Sequence, residues 1–255
     1  MQKMQEMQHT SIKVKLYTGY NMEHPPSVLY LEHDGKVLLV DSQGKGPQKP
    51  IMNNIGDTKF RFPTLQEVSA MSLDWEVKNR FNVLGIEVIK AHPLIEWPKE
   101  WAWKDECISD DRVHPIARES IYRSIHRLVS KVMVLNQNGE VLMGKIERGH
   151  FVGHWTLPGG YMDHDEHPAV GCVRETLEEI GIDIELSEDE PIITQRIFTD
   201  EGISFVSFTY RAIWEGDDSQ ITLKENEISE YAWLAPEEAI SRAVSGFDAA
   251  ALRHL

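Results

Sequence analysis

The chain reads as an α+β protein of two domains, and three observations predict this. Apolar runs broken by an Asp-Gly or Asn-Gly turn signal occur twice, over residues 27–41 and 130–145, each in the manner of a β-hairpin. A stretch with helical period and a row of acidic residues follows the second copy, starting at Pro168. At 255 residues the chain is long enough for one large or two ordinary domains.

Taken in order, a polar lead of about ten residues precedes the first hairpin, whose turn is Asp34-Gly35. Phe60-Arg61-Phe62-Pro63 then leads into a helix-like run over residues 65–81, followed by a strand at Leu84-Gly85-Ile86-Glu87-Val88. Residues 92–111 carry Trp97, Trp101 and Trp103. Such density anchors a packed loop or an inter-domain face; the alternative, a base-stacking platform, would sit beside basic residues, and only Lys99 and Lys104 lie in the run. Residues 115–129 read as a connecting helix, with Pro115 in its first turn and Ile121, Ile125, Leu128 and Val129 on one face. Its Arg118, Arg123 and Arg127 lie elsewhere, on a solvated face or toward phosphates. Beyond the second hairpin, residues 192–198 and 204–214 read as strands joined by a turn at Asp200-Glu201-Gly202. Glu225, Glu227 and Glu230 precede a strand at Tyr231, and Ala235-Pro236-Glu237-Glu238 opens a final helix with acids in its first turn.

The stretch from Gly160 to Ile182 carries the chemistry. Read from Pro168 with a helical period, Val170, Val173, Leu177 and Ile180 form one stripe, with Glu175, Glu178 and Glu179 opposite, on the exposed side. Like charges three and four residues apart repel, and only Arg174 relieves them. A hard divalent cation accounts for the crowding, because Mg²⁺ and Mn²⁺ take carboxylate oxygens and keep positions open for water and phosphate.

Gly160, five residues, Glu166, seven residues and Arg174-Glu175-Thr176-Leu177-Glu178-Glu179-Ile180-Gly181-Ile182 resemble the Nudix box, the signature of Nudix hydrolases, at every fixed position. Two looser positions depart: Thr176 stands where the family usually has an aliphatic residue, and Asp165 where it often has Gly. Trp155-Thr156-Leu157-Pro158-Gly159-Gly160 is similar to the segment family members carry just before the box. The resemblance implies a Nudix fold over residues 130–255, a mixed β-sheet sandwiched between α-helices. It further implies that Glu178 and Glu179 bind the metal, that Glu175 is a further ligand or the base orienting the attacking water, and that the Gly160 carbonyl completes the set. Arg174, the fourth member of the catalytic group, would fix a box carboxylate; Glu166 would be a ligand through water or a structural partner, and Gly181 a structural position. Arg148, Phe205 and Glu227 are substrate-site candidates, Glu227 because family members can take an extra glutamate from a late loop. His150, His154, His164 and His167 surround the box, but nothing in their spacing demands a zinc site.

Residues 1–114 echo the same order. Setting Gly85 against Gly181 places Lys78 and Asn79 at Arg174 and Glu175, and Asn82 and Val83 at Glu178 and Glu179. The acids are absent, so this half reads as a degenerate Nudix-like repeat that cannot bind metal; the alternative is coincidence between two ordinary α/β segments.

A net charge of −15 argues against a general grip on nucleic acid, RNA decapping included. No run of about eighteen apolar residues occurs, and the N-terminus lacks the apolar core of a signal peptide, so a cytoplasmic location without membrane contact is expected. Cys107 and Cys172 are too few for a disulfide framework. The expected activity is Mg²⁺- or Mn²⁺-dependent cleavage of the pyrophosphate bond of a nucleoside diphosphate linked to another moiety. The rival is a ligand-sensing module that binds a nucleotide derivative without turnover. An interaction role for the N-terminal half, such as a homodimer surface, would coexist with either. The Pro- and aromatic-rich motif of NADH-cleaving members is missing from residues 186–198, and Ile197 and Phe198 stand near the place where ADP-ribose-cleaving members tend to have a proline. A nucleotide sugar, a dinucleoside polyphosphate and a damaged nucleoside triphosphate all remain candidate substrates.

Overall fold

Asp34 and Gly35 take left-handed φ values of 47° and 78°, the two central positions of a tight turn, and so fold β1 (Val28–His33) back on β2 (Lys36–Val37). Around this hairpin the first unit of the computed structural model is built. The structure describes residues 27–50, 57–148, 151–198 and 200–255; the polar lead of residues 1–10, His150 and the side chains of Ile197 and Phe198 lie outside what is described. The chain divides into two units, Met1–Ile125 with Phe198–Ile203, and His126–Ile197 with Ser204–Leu255.

In the first unit, β3 (Val40–Asp41), β4 (Phe60–Arg61), helix α1 (Leu65–Ala70), β5 (Trp75–Val83), β6 (Ile86–Pro93), β7 (Ala102–Trp103) and helices α2 (Lys104–Ile108) and α3 (Pro115–Ser124) follow the hairpin. The sheet order is β5-β6-β1-β2-β7, with β1 parallel to β6. Leu29, Leu31, Leu38, Ile89 and Ala91 form one core with Val68 of α1, and Tyr30, Val37, Leu39 and Val88 form another with Ile116, Ala117 and Ile121 of α3. Trp101 is buried, while Trp97 and Trp103 flank the ammonium of Lys36 at 5.1 and 4.8 Å. Lys36 also donates to the Lys99 carbonyl at 2.9 Å, so the tryptophan-rich run is a packed loop around a cation.

Two helix expectations are corrected. The run over residues 65–81 is helical only to Ala70: Ser72 turns left-handed at φ 55°, and Trp75 onward is β5, paired antiparallel with β6. A register shift between Val77 and Asn79 interrupts the alternation of Trp75, Val77, Phe81 and Val83, which disguises a period of two. Lys78, Asn79, Asn82 and Val83 are therefore strand residues, and their equivalence to the acidic helix does not hold. The helix over residues 115–129 ends at Ser124, since Ile125 is extended and Arg127 onward pairs in register with residue 205 and its successors.

The second unit holds β8 (Arg127–Leu135), β9 (Val141–Ile146), β10 (Trp155–Thr156), β11 (Gly159–Tyr161), helix α4 (Pro168–Ile180), β12 (Ile192–Phe198), β13 (Ile203–Ile213), a 3₁₀ turn at Asp218–Gln220, β14 (Ile228–Leu234), α5 (Pro236–Arg242) and α6 (Gly246–Leu252). The path β10-β9-β8-β13-β12 takes β11 beside β8 and β14 beside β9. β8 runs parallel to β13 and antiparallel to β9 and β11, so the sheet is mixed. One face packs on α4 through Val132, Val134, Leu142, Cys172, Ile180, Tyr210 and Ala212; the other packs on α5 and α6 through Met133, Val141, Met143, Leu157, Ala239, Ala251 and Leu252. This is the α+β, helix-flanked sheet expected for residues 130–255. Among the described residues, no helix is long and apolar enough to cross a membrane.

At the start of α1, Thr64 and Glu67 form a capping box, and Arg61 grips the same Glu67 carboxylate at 2.9 and 2.6 Å. The Arg61 guanidinium holds Glu67 down to about 2. Glu67→Gln is expected to lower unfolding stability by about 1–3 kcal/mol in urea titration at neutral pH. In the parent chain this contribution is complete above pH 4.5 and fades as pH falls toward 2, so the two proteins should converge in acid.

Candidate active site

Helix α4 begins at Pro168, whose fixed φ suits a first turn, with His167 Nδ1 accepting from Ala169 N at 3.2 Å. It ends at Gly181, left-handed at φ 76°, whose N–H donates to Leu177 O. A side chain at Gly181 would also lie 2.8 Å from Thr222 O. The buried positions are Gly171, Cys172, Thr176 and Ile180, whereas Val170 and Leu177 are exposed. The expected apolar stripe is thus rotated. Gly171 lets the helix approach the sheet, since a Cβ there would lie 2.7 Å from Ser130 Oγ and from Glu166 Oε2. Thr176 is buried and satisfied, donating to Cys172 O at 2.7 Å. Burial pushes the Cys172 thiol up to about 12.

The rotation carries the glutamates inward as well. Glu178 remains exposed, but Glu175 and Glu179 are half-buried. Glu179 Oε2 accepts from Gly159 N at 3.1 Å. Burial is the largest influence on Glu179 and pushes its carboxyl up to about 7; the Gly159 N–H and the Lys131 charge oppose it, and the charges of Glu175 and Glu227 add to it. Burial likewise raises Glu175, against the pull of Arg174 and with the charges of Glu178 and Glu227. The double glycine makes this approach feasible. At Gly159, φ is 130° and a Cβ would lie 2.2 Å from Ser130 O; at Gly160 a Cβ would lie 2.9 Å from the Glu175 carboxylate.

Arg174 is the hub. It grips Glu166 at 2.8 and 3.0 Å and reaches Glu175 at 3.0 Å, Glu178 at 3.3 Å and Tyr161 O at 3.4 Å. Glu166 is correspondingly held down to about 2 by that guanidinium and also accepts from Asp163 N. These are the contacts of a structural partner. Asp165 is left-handed at φ 71°, which accounts for the glycine that the family often has there.

Glu227 belongs to the cluster. Thr222 N and Lys224 N donate to the Ile180 and Glu179 carbonyls, pinning residues 222–227 to the end of α4. Glu227 then pairs with Lys224 at 3.2 Å and with Arg148, while Lys224 also meets Glu178 at 3.6 Å. Arg148 is thus engaged with a carboxylate of the site. Phe205 lies 6.1 Å, ring to ring, from both Tyr161 and Phe247, an aromatic row that starts at the residue after Gly160. Beside it opens a cavity of about 730 Å³, lined by Leu128, Tyr161 and residues 162–167.

Sequence reasoning missed Lys131. Buried on β8, it donates to Thr156 Oγ1 at 2.6 Å and Leu157 O at 3.0 Å, and faces Asp248 at 3.4 Å. Asp248 is fully buried and also accepts from Thr156. The signal was present, since a lysine inside the apolar run of a central strand demands a partner.

The oxygen-only donor set of Glu175, Glu178, Glu179 and the Gly160 carbonyl suits a hard divalent cation. Among the described residues, no three of His, Cys, Asp and Glu stand close enough to hold a metal as they are oriented; Glu175 and Glu178 both turn to Arg174. His167 caps α4, and His154 Nδ1 lies 3.1 Å from Val152 O.

The family model described as NUDIX domain matches residues 125–255. A MutT-like protein of Streptomyces ambofaciens is 30% identical over 125 residues, covering 49% of this chain and 74% of that protein. An RNA pyrophosphohydrolase of Roseobacter denitrificans is 37% identical over 70 residues, 28% of this chain and 43% of that one. Among solved structures, a MutT protein from Methanosarcina mazei Go1 aligns with 22% identity and a TM-score of 0.44, over 51% of this chain and 91% of that one.

Two substitutions probe the arrangement. Lys131→Met leaves the buried Asp248 carboxylate without its cation and is expected to cost about 3–5 kcal/mol by denaturant unfolding. Asp165→Gly relieves the left-handed backbone and is expected to add up to about 1 kcal/mol in the same measurement.

Proposed function

The chain belongs to the Nudix hydrolase superfamily, and on that premise we propose that it is a Mg²⁺- or Mn²⁺-dependent hydrolase cleaving the pyrophosphate bond of a nucleoside diphosphate linked to another moiety. The observation that carries the reading is that Glu175 and Glu179 stand beside a double glycine, with Glu178 and Glu227 linked to them through Arg174 and Lys224. Glu178, Glu179 and the Gly160 carbonyl would hold the cation, with Glu175 a further ligand or the base that orients the attacking water. Bound there, the cation would supply neutralisation of phosphate charge as the bridge breaks.

The chain's own residues do the rest. Water attacks one phosphorus of the bridge, the bond from that phosphorus to the bridging oxygen breaks, and the leaving phosphate keeps the electron pair. The proton lost by the water passes to a carboxylate of the cluster. Arg174, tied to Glu166, fixes the rotamers of Glu175 and Glu178. Gly159 N–H orients Glu179. Tyr161 and Phe205 offer an aromatic face next to Gly160 for the nucleobase. The name of the Roseobacter relative raises RNA as a substrate class, but a net charge of −15 favours a small nucleotide.

The test is a panel of nucleotide derivatives incubated with the chain and Mg²⁺, with products read by mass. Turnover that stops on chelation and falls by about 100-fold or more in Glu178→Gln is the expected result. Tight binding of one compound without phosphate-containing products would instead mark a sensing module.

A further inference from the structure

We infer that the chain is an internal duplication: the first unit is a second copy of the fold whose loop and acidic helix have been lost, and whose remaining carboxylate is neutralised by a built-in arginine. The duplication stands on geometry alone; only its metal consequence rests on the proposed function.

The sheets correspond strand for strand. The order β5-β6-β1-β2-β7 matches β12-β13-β8-β9-β14. In each, the hairpin strand is parallel to one neighbour, β1 to β6 and β8 to β13, and the hairpin's second strand is antiparallel to the last, β2 to β7 and β9 to β14. Short strands recur: Phe60 and Arg61 face Asp41 and Val40, as Trp155 and Thr156 face Lys145 and Gly144. Single hydrogen bonds recur too. Leu29 N donates to Pro63 O at 2.8 Å and Val132 N to Pro158 O at 3.1 Å; His114 N donates to Phe60 O at 2.7 Å and Val244 N to Trp155 O at 2.9 Å.

These anchors set Leu29, Leu31, Leu38, Ile89 and Ala91 against Val132, Val134, Leu142, Tyr210 and Ala212. Each set lies in one core, on the face covered by α1 in the first unit and by α4 in the second. Tyr30, Val37 and Leu39, set against Met133, Val141 and Met143, lie on the other face in both. A slip of one residue would exchange the faces, so shared apolarity alone does not produce the match.

The copies part at one place. Thr64 bridges to Val28 as Gly159 pairs with Lys131, but the first unit enters α1 at once, whereas the second continues through β11, the box loop and α4. At this anchor a backbone N–H meets a glutamate in both: Thr64 N to Glu67 Oε2 at 2.8 Å, and Gly159 N to Glu179 Oε2 at 3.1 Å. Arg61, standing where the second unit has Thr156, makes two hydrogen bonds to Glu67. The guanidinium does there what a divalent cation would do at Glu179. Among its described residues the first unit therefore has no metal site of its own.

The experiment is NMR on the full chain with labelled methyl and amide groups. Expected are NOEs linking Leu29 to Ile89 and Leu31 to Ala91, the counterparts of Val132 to Tyr210 and Val134 to Ala212; an antiparallel β1/β6 pair or another strand order overturns the duplication. Mn²⁺ is then added to the parent chain and to the variant Glu178→Gln with Glu179→Gln, or to Glu178→Gln alone should the double variant not fold. Broadening around Gly160 should be lost in the variant while residues 60–68 stay sharp, and broadening centred on Glu67 in that variant overturns the self-neutralised site. A parent chain that Mn²⁺ broadens nowhere would sink the hydrolase reading and leave the NOEs to decide the duplication.

Discussion

Like-charged carboxylates can be kept close together only if the backbone beneath them is held by something other than the charges themselves. In the second unit that support comes from three directions. Arg174, clamped by Glu166, ties down Glu175 and Glu178; Gly159 N–H takes Glu179; and hydrogen bonds from Thr222 and Lys224 to the end of α4 bring Glu227 in. Each device works because a glycine lets backbone come where a side chain would collide, at Gly159 against β8, at Gly160 against Glu175 and at Gly171 against Ser130. The sheet's role is to keep these elements at fixed separation, with apolar cores on both faces.

How much of this the sequence carries depends on whether a signal is local. The turns at Asp34-Gly35 and Asn138-Gly139, the start of α4 at Pro168 and its end at Gly181 are local chemistry, and they were legible. That Glu175, Glu178 and Glu179 share one helix was legible too, because spacing fixes it. The rotation of α4 was not. Val170 and Leu177 are apolar but exposed, while Thr176 is buried because its hydroxyl finds the Cys172 carbonyl within the helix itself. Equally hidden was where the helices α1 and α3 of the first unit stop. A register shift in β5 blurred its alternation, and the pairing of β8 with β13 drew Leu128 and Val129 into a strand although their spacing suited a helix.

The two units show how one strand order can be closed in two ways. Retaining the sheet demands residue-by-residue agreement on both faces, because every side chain of a strand answers to one core or the other. Retaining the site demands a long loop and a thirteen-residue helix that add acidic strain and little to the sheet. Where these are absent, a six-residue helix closes the same gap with a capping box and one ion pair. Lys131 and Asp248 mark a further contrast, for their buried pair crosses from β8 to α6 at a position where β1 has Val28.

Cys172 sits on the sheet side of the helix that bears the glutamates, sealed from solvent and with its thiol shifted to about 12. Because the thiolate is the form that alkylating agents and peroxides attack, this sulfur is chemically silent at physiological pH for as long as α4 stays docked. Modification of Cys172 therefore reports undocking of the helix, and the residue serves as a built-in gauge of how often the carboxylate-bearing segment leaves the sheet.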